Sequence, residues 1–233
     1  MPERINKFIA ARSQWSRRQA DELIARGLVT VNGTPVTPGA TVTDADTVTV
    51  NGMTISAPAA LLYLMLNKPI GYITTTDRRM SDNVLDLVPS TQRLFPVGRL
   101  DVLSSGLLLL TNDGELTNRL THPRFEHEKE YVVEVDKTLT EDKLDVLRHG
   151  IRLRDKLTLP AKVRRLTDRG FSIAIREGKN RQIRRMCEYV GYNVINLRRT
   201  RVLSLSLGNL TVGRWRYLSA EEITHLRRDT GLL

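Results

Sequence analysis

The segment from Pro96 to Glu115, PVGRLDVLSSGLLLLTNDGE, sets Arg99 and Asp101 in a short loop between Gly98 and a Ser104-Ser105-Gly106 turn. Four leucines, Leu107 to Leu110, follow at once, as in a strand buried on both faces. A carboxylate on a loop at the mouth of such a strand stands where rigid scaffolds hold catalytic groups. The plainer alternative is that Asp101 only caps its turn. A second cluster lies in Arg181 to Val190, where Ile183, Met186, Cys187 and Val190 share one helical face and Arg181, Arg184, Arg185 and Glu188 the other. Three arginines on one face repel one another unless an anion lies against them, so this face suits phosphate, or a carboxylate such as that of Asp101. Just upstream, EGKN places Lys179 beside Gly178 and puts Asn180 at the expected helix cap, where free amides also favour anions. Cys187, on the apolar stripe, reads as a core residue rather than a nucleophile.

His122 and His127 could suggest a metal-dependent RNA hydrolase, but Pro123 breaks any helix between them and the neighbouring acids lack metal-ligand spacing. No metal ligand is assigned. The single cysteine excludes an internal disulfide framework and a multi-cysteine zinc site.

The net charge of +10 and the pI near 10.1 call for an acidic partner. Between Ile151 and Arg201 there are fifteen basic residues against four acidic ones, and arginine outnumbers lysine twelve to three. The planar guanidinium suits phosphate and base recognition better than mere solubility would require. No run approaches the ~18 apolar residues of a membrane span. The opening residues, MPERINKFIAARSQW, lack the apolar core of a signal peptide, so the cytoplasm is the expected compartment.

These groups need elements to hold them. Ile5, Phe8 and Ile9 share one face of a first helix, and Ser16 with Gln19 forms a capping box that opens a second, striped by Ala20, Leu23 and Ile24 and ended by Gly27. Lys7, Arg12, Arg17, Arg18 and Arg26 fall outside the apolar stripes, a pattern suited to the phosphates of folded RNA. Asn32-Gly33 is a strong hairpin signal, and the alternation from Val42 to Val50 predicts a half-buried strand. We read residues 1–52 as one domain, 53–60 as a linker and 61–233 as a second domain. In the second, strands are expected at Leu61–Leu66, Gly71–Thr75, Leu107–Thr111, Glu130–Val135, Phe171–Ile175 and Val194–Arg199. Helices are expected at Glu141–His149, Arg181–Val190 and Ala220–Arg227, the last with a Ser219/Glu222 capping box. Without strict strand-helix alternation, the class is α+β with a mostly antiparallel mixed sheet.

The stretch RINKFIA followed by SRRQADELIARGLVTVNGTPV resembles the small S-four RNA-binding module. GRLDVLSSGLLLLTNDGEL, EKEYVV and EGKNRQIRRMCEYVGY look like successive motifs of the pseudouridine synthase family in its RsuA-like branch. The last of these, with GRWRYLSAEEI, is more similar to a type acting on the large ribosomal subunit. The resemblance implies a cofactor-free isomerase with Asp101 as catalytic aspartate, Tyr131 stacking on the target base and Arg184 as ion-pair partner of Asp101. Lys7, Arg17, Arg18, Arg99, Lys179, Arg181 and Arg185 are the expected RNA contacts. Ribosomal RNA is the implied partner, with a transfer-RNA anticodon as a second one, and a monomer is expected. Family members usually carry an acidic residue two positions after the aspartate, where this chain has Leu103. A non-catalytic RNA-binding or ribosome-assembly protein is the competing reading; it accounts for the basic charge but leaves Arg99, Asp101, Tyr131 and the arginine helix as coincidence.

Overall fold

A computed structural model describes residues 1–55, 58–153 and 156–233. Ser56 and Ala57 of the expected linker, and Arg154 and Asp155 of the basic segment, lie outside the described residues. The chain forms two compact units, Met1–Leu61 with Ser90–Arg93, and Leu62–Pro89 with Leu94–Leu233.

In the first unit the helix Ile5–Arg12 buries Ile5, Phe8 and Ile9. The helix Arg17–Ala25 opens on the capping box: Ser16 Oγ accepts from the Gln19 amide, and the Gln19 side chain accepts from the Ser16 N–H. Asn32 and Gly33 both have positive φ, the conformation of a tight two-residue hairpin, and join Val29–Val31 to Thr34–Pro35. The expected single strand over Val42–Val50 is instead two. Thr41–Val42 pairs with Glu3–Arg4, and Val48–Val50 pairs with Val29–Val31. Asp46 Oδ2 accepts from the amide and hydroxyl of Thr43, and this side-chain capture folds a turn where alternation alone predicted extension. Met53–Thr54 pairs with Val48–Val50, so the expected linker begins inside the sheet.

The second unit is built on a nine-stranded sheet. Its main path runs Lys162–Arg165, Gly170–Ile175, Lys129–Val135, Val194–Val202, Ser105–Thr111, Tyr63–Lys68, Trp215–Tyr217. All neighbours on it are antiparallel except Val194–Val202 and Ser105–Thr111. The central leucine run is buried on both faces. Leu108 and Leu110 enter one core with Val133, Leu144, Leu147, Ile183 and Met186, while Leu107 and Leu109 enter another with Leu116, Leu120 and Leu226. At the parallel junction Gly106 has φ +104°, and a Cβ there would lie 2.2 Å from the Arg199 carbonyl oxygen. Only glycine lets the two backbones approach this closely.

The helices Glu141–His149, Gln182–Tyr189 and Ala220–Asp229 stand where periodicity placed them, the last on its Ser219/Glu222 box. An unforeseen helix, Gly114–Thr121, is capped by Asp113, whose Oδ1 accepts from the Glu115 and Leu116 amides. The expected strand Gly71–Thr75 does not form: Ile73 makes an isolated bridge to Asn83, and the Thr74 hydroxyl is committed to Leu100. Among the described residues no helix is long and apolar enough to cross a membrane.

Candidate active site

Asp101 opens a four-residue turn in which the Ser104 amide donates to the Asp101 carbonyl at 3.0 Å. Three side chains fix this turn from beneath. Lys68, wholly buried at the end of its strand, donates from Nζ to the carbonyls of Pro69 at 2.9 Å, Asp101 at 3.2 Å and Ser104 at 2.8 Å. Thr74 exchanges hydrogen bonds with the main chain of Leu100, its Oγ1 donating to the carbonyl at 2.8 Å and accepting from the amide at 3.3 Å. Arg184 donates from Nη2 to the Leu103 carbonyl at 2.7 Å and from Nη1 to that of Val194 at 3.1 Å. The Gly71 amide holds the Val102 carbonyl at 2.9 Å. With its main chain so occupied, the turn leaves the half-buried Asp101 carboxylate without a hydrogen-bond or ion-pair partner among the described residues.

That carboxylate borders a cleft of about 340 Å³. Tyr131, 9% exposed on the Lys129–Val135 strand, lines it with the apolar side chains of Leu100, Ile175, Ile183 and Leu197. Arg99, Ser104, Gly178, Lys179, Asn180, Arg181 and Gln182 complete the lining. The cleft thus has an apolar floor and aromatic wall, one free carboxylate and a cationic rim, a combination suited to a flat, uncharged ring on a polyanionic backbone.

The charged groups beside it are electrostatically unusual. Burial lowers the pKa of Lys68 to about 8, and the nearby Asp101 carboxylate opposes this. Burial and then Arg181 lower that of Arg184, while Asp101 and Cys187 oppose the shift. The expected ion pair of Arg184 with Asp101 is therefore not a direct one. The guanidinium is taken up by two main-chain carbonyls and acts on the carboxylate through the turn and through space. Cys187 is fully buried, and burial pushes its pKa up to about 12, which suits a core thiol.

The other residues singled out in the sequence are less uniform. Arg99 and Arg181 are exposed at the cleft. Arg181, not Asn180, is the residue before the Gln182–Tyr189 helix; it has φ +48° and no side chain caps the helix. Lys179 is neutralised by Glu177 at 2.8 Å and donates to the Leu157 carbonyl. Arg185 is half-buried. In the first unit Arg17 and Arg18 are exposed, and Lys7 lies 3.5 Å from Glu3. Arg12 is turned inward over Phe8 and paired with Glu3 and Asp44, so it is not a free surface cation. Part of the basic segment is likewise neutralised internally, by Glu128 against Lys162 and Arg201 and by Asp168 against Arg165. Lys68 and Thr74 were missed from sequence; the signal for Lys68 was a lone lysine just after the apolar run Leu61–Leu66.

Residues 62–189 match the family model described as RNA pseudouridylate synthase, and residues 3–55 match that of the S4 domain. The dual-specificity RNA pseudouridine synthase RluF of Escherichia coli (strain K12) is 42% identical over 225 residues, covering 96% of this chain and 78% of its own length. The ribosomal large subunit pseudouridine synthase B of Bacillus subtilis (strain 168) is 41% identical over 236 residues, covering 97% and 96% respectively. A crystal structure of a pseudouridylate synthase superposes with a TM-score of 0.72 over 96% of this chain and 99% of its own, at 31% identity.

Proposed function

The chain belongs to the RNA pseudouridylate synthase family, as an isomerase carrying an S4 domain, and from that premise we propose that it converts uridines of large-subunit ribosomal RNA to pseudouridine with Asp101 as its catalytic carboxylate. The observation that carries this reading is the unpartnered Asp101 carboxylate, held by its locked turn at a cleft walled by Tyr131.

A uridine within folded RNA hides its glycosidic bond in the stack, so it must be turned out at a cost of a few kcal/mol. Stacking on Tyr131 returns ~1–3 kcal/mol of that cost, and the apolar floor excludes water from the ring. The bond between N1 and the ribose then breaks, the uracil turns, and C5 bonds to the ribose carbon. The C5 hydrogen leaves as a proton and N1 gains one, so atoms balance without oxidant or reductant. Asp101 serves either as nucleophile toward the ribose or as base toward a ribose proton. Arg184 holds the turn that aims it. Arg99 and Arg181 at the cleft meet phosphate, Lys179 contributes once drawn from Glu177, the half-buried Arg185 adds positive charge on the same helix as Arg184, and Lys7, Arg17 and Arg18 of the first unit hold flanking RNA.

In this reading the first unit, Met1–Leu61 with Ser90–Arg93, captures RNA and the second carries the chemistry. In this reading the protein acts as a monomer in the cytoplasm. A transfer-RNA anticodon is the second substrate in this reading, supported by the dual specificity for which the RluF relatives are named. Site-resolved pseudouridine mapping of ribosomal and transfer RNA, with and without the protein, tests it. Sites lost without the protein and restored by it support the reading; identical maps overturn it.

A further inference from the structure

The turn that carries Asp101 has an unusual centre. Its two middle residues are Val102 and Leu103, positions that turns usually fill with glycine, proline, asparagine, aspartate or serine. Both side chains face solvent, 40% and 53% exposed, and Ile70, next to the Gly71 that binds the Val102 carbonyl, is 48% exposed. An exposed apolar side chain alone means little, but these three stand together beside the reacting carboxylate. They are also fixed. The carbonyls of Asp101 and Ser104 are tied to Lys68, that of Val102 to Gly71 and that of Leu103 to Arg184, so the turn cannot roll its apolar pair inward without breaking these bonds.

We infer that Leu103, backed by Val102 and Ile70, is a wedge that packs against the RNA bases flanking the extruded uridine. The inference rests on the reading of Asp101 as the catalytic carboxylate. Adjacent Cα atoms lie about 3.8 Å apart, so Val102 and Leu103 stand within reach of the bases that flank a ribose brought to Asp101. Removing one base from a stack opens an apolar gap, and apolar side chains are the groups that fill such gaps in deformed nucleic acids. A carboxylate at this position would meet repulsion from the phosphates, whereas the Leu103 side chain gains by contact with base faces. The wedge therefore acts on the extrusion step, and matters most where the uridine starts out stacked.

The test uses the full chain and two RNAs tritiated at uridine C5: a folded fragment bearing a mapped target, and a short unstructured oligonucleotide with the same local sequence. Leu103→Ala and Leu103→Asp are expected to lower kcat/KM about tenfold on the folded RNA, and less than about twofold on the oligonucleotide, with Leu103→Met near the parent on both. Unchanged turnover of the folded RNA by both variants would overturn the wedge. Equal losses on the two RNAs would also overturn it, since Leu103 would then serve the chemistry rather than the extrusion. A parent enzyme inactive on both RNAs would instead overturn the reading of Asp101, and the wedge with it.

Discussion

Replacing Lys68 by methionine should disable the enzyme from beneath its reaction centre. The ammonium is wholly buried and donates to the carbonyls of Pro69, Asp101 and Ser104, with that of Val102 at 3.5 Å. A buried acceptor that loses its donor costs ~1–3 kcal/mol. Against that, the substitution recovers the several kcal/mol spent in burying a charge. The net destabilisation is about 2–4 kcal/mol, small enough to leave a folded protein. Turnover should suffer more, because a shift of about 1 Å in a catalytic group costs on the order of a hundredfold. The folded pKa of about 8 lies below the ordinary 10.5 for lysine, so the unfolded chain binds more protons between these values and stability rises with pH across that window. In the folded enzyme the same deprotonation above about pH 8 weakens the hold on the turn, so kcat should fall there. Tritium release from C5-labelled RNA across pH, with urea unfolding of parent and Lys68→Met, measures both effects. Parental kcat and an unchanged unfolding midpoint in the variant would refute the reasoning, as would an alkaline decline of kcat that the variant shares.

Arg184→Ala frees the Leu103 and Val194 carbonyls and should lower kcat roughly tenfold with a smaller change in KM; steady-state kinetics check this, and an unchanged kcat would remove Arg184 from the turn's support. Tyr131→Phe keeps the ring and should retain most activity, whereas Tyr131→Ala should lose roughly 10- to 100-fold in kcat/KM. Gly106→Ala places a Cβ against the Arg199 backbone at positive φ and should cost on the order of 3 kcal/mol or more, read as a lowered urea midpoint.

The parts legible in the sequence are those whose cause is local. Ile5, Phe8 and Ile9 share a face by spacing alone, Ser16 and Gln19 make a box three residues apart, and Asp101 stands out as a charge in a turn before an apolar run. The parts that escaped depend on distant main chain. Arg184 was read as a carboxylate partner, but it binds the carbonyl of Leu103, 81 residues away, and a carbonyl has no signature in a sequence. Lys68 needed the meeting of two strands and a turn to become a support rather than a surface lysine. Thr74 was placed in an expected strand, Gly71–Thr75, yet its hydroxyl found a partner in the distant Leu100 main chain. The alternation from Val42 to Val50 was genuine but was interrupted by a single aspartate side chain.

The most direct test of the account is Asp101→Asn, a nearly isosteric change that removes the charge while leaving the carbonyl anchored by Lys68 and Ser104. Tritium release from C5-labelled RNA should fall to background while binding of the same RNA stays within about twofold of the parent, since phosphate contacts supply most of the affinity. Undiminished tritium release by Asp101→Asn would contradict the account at its centre.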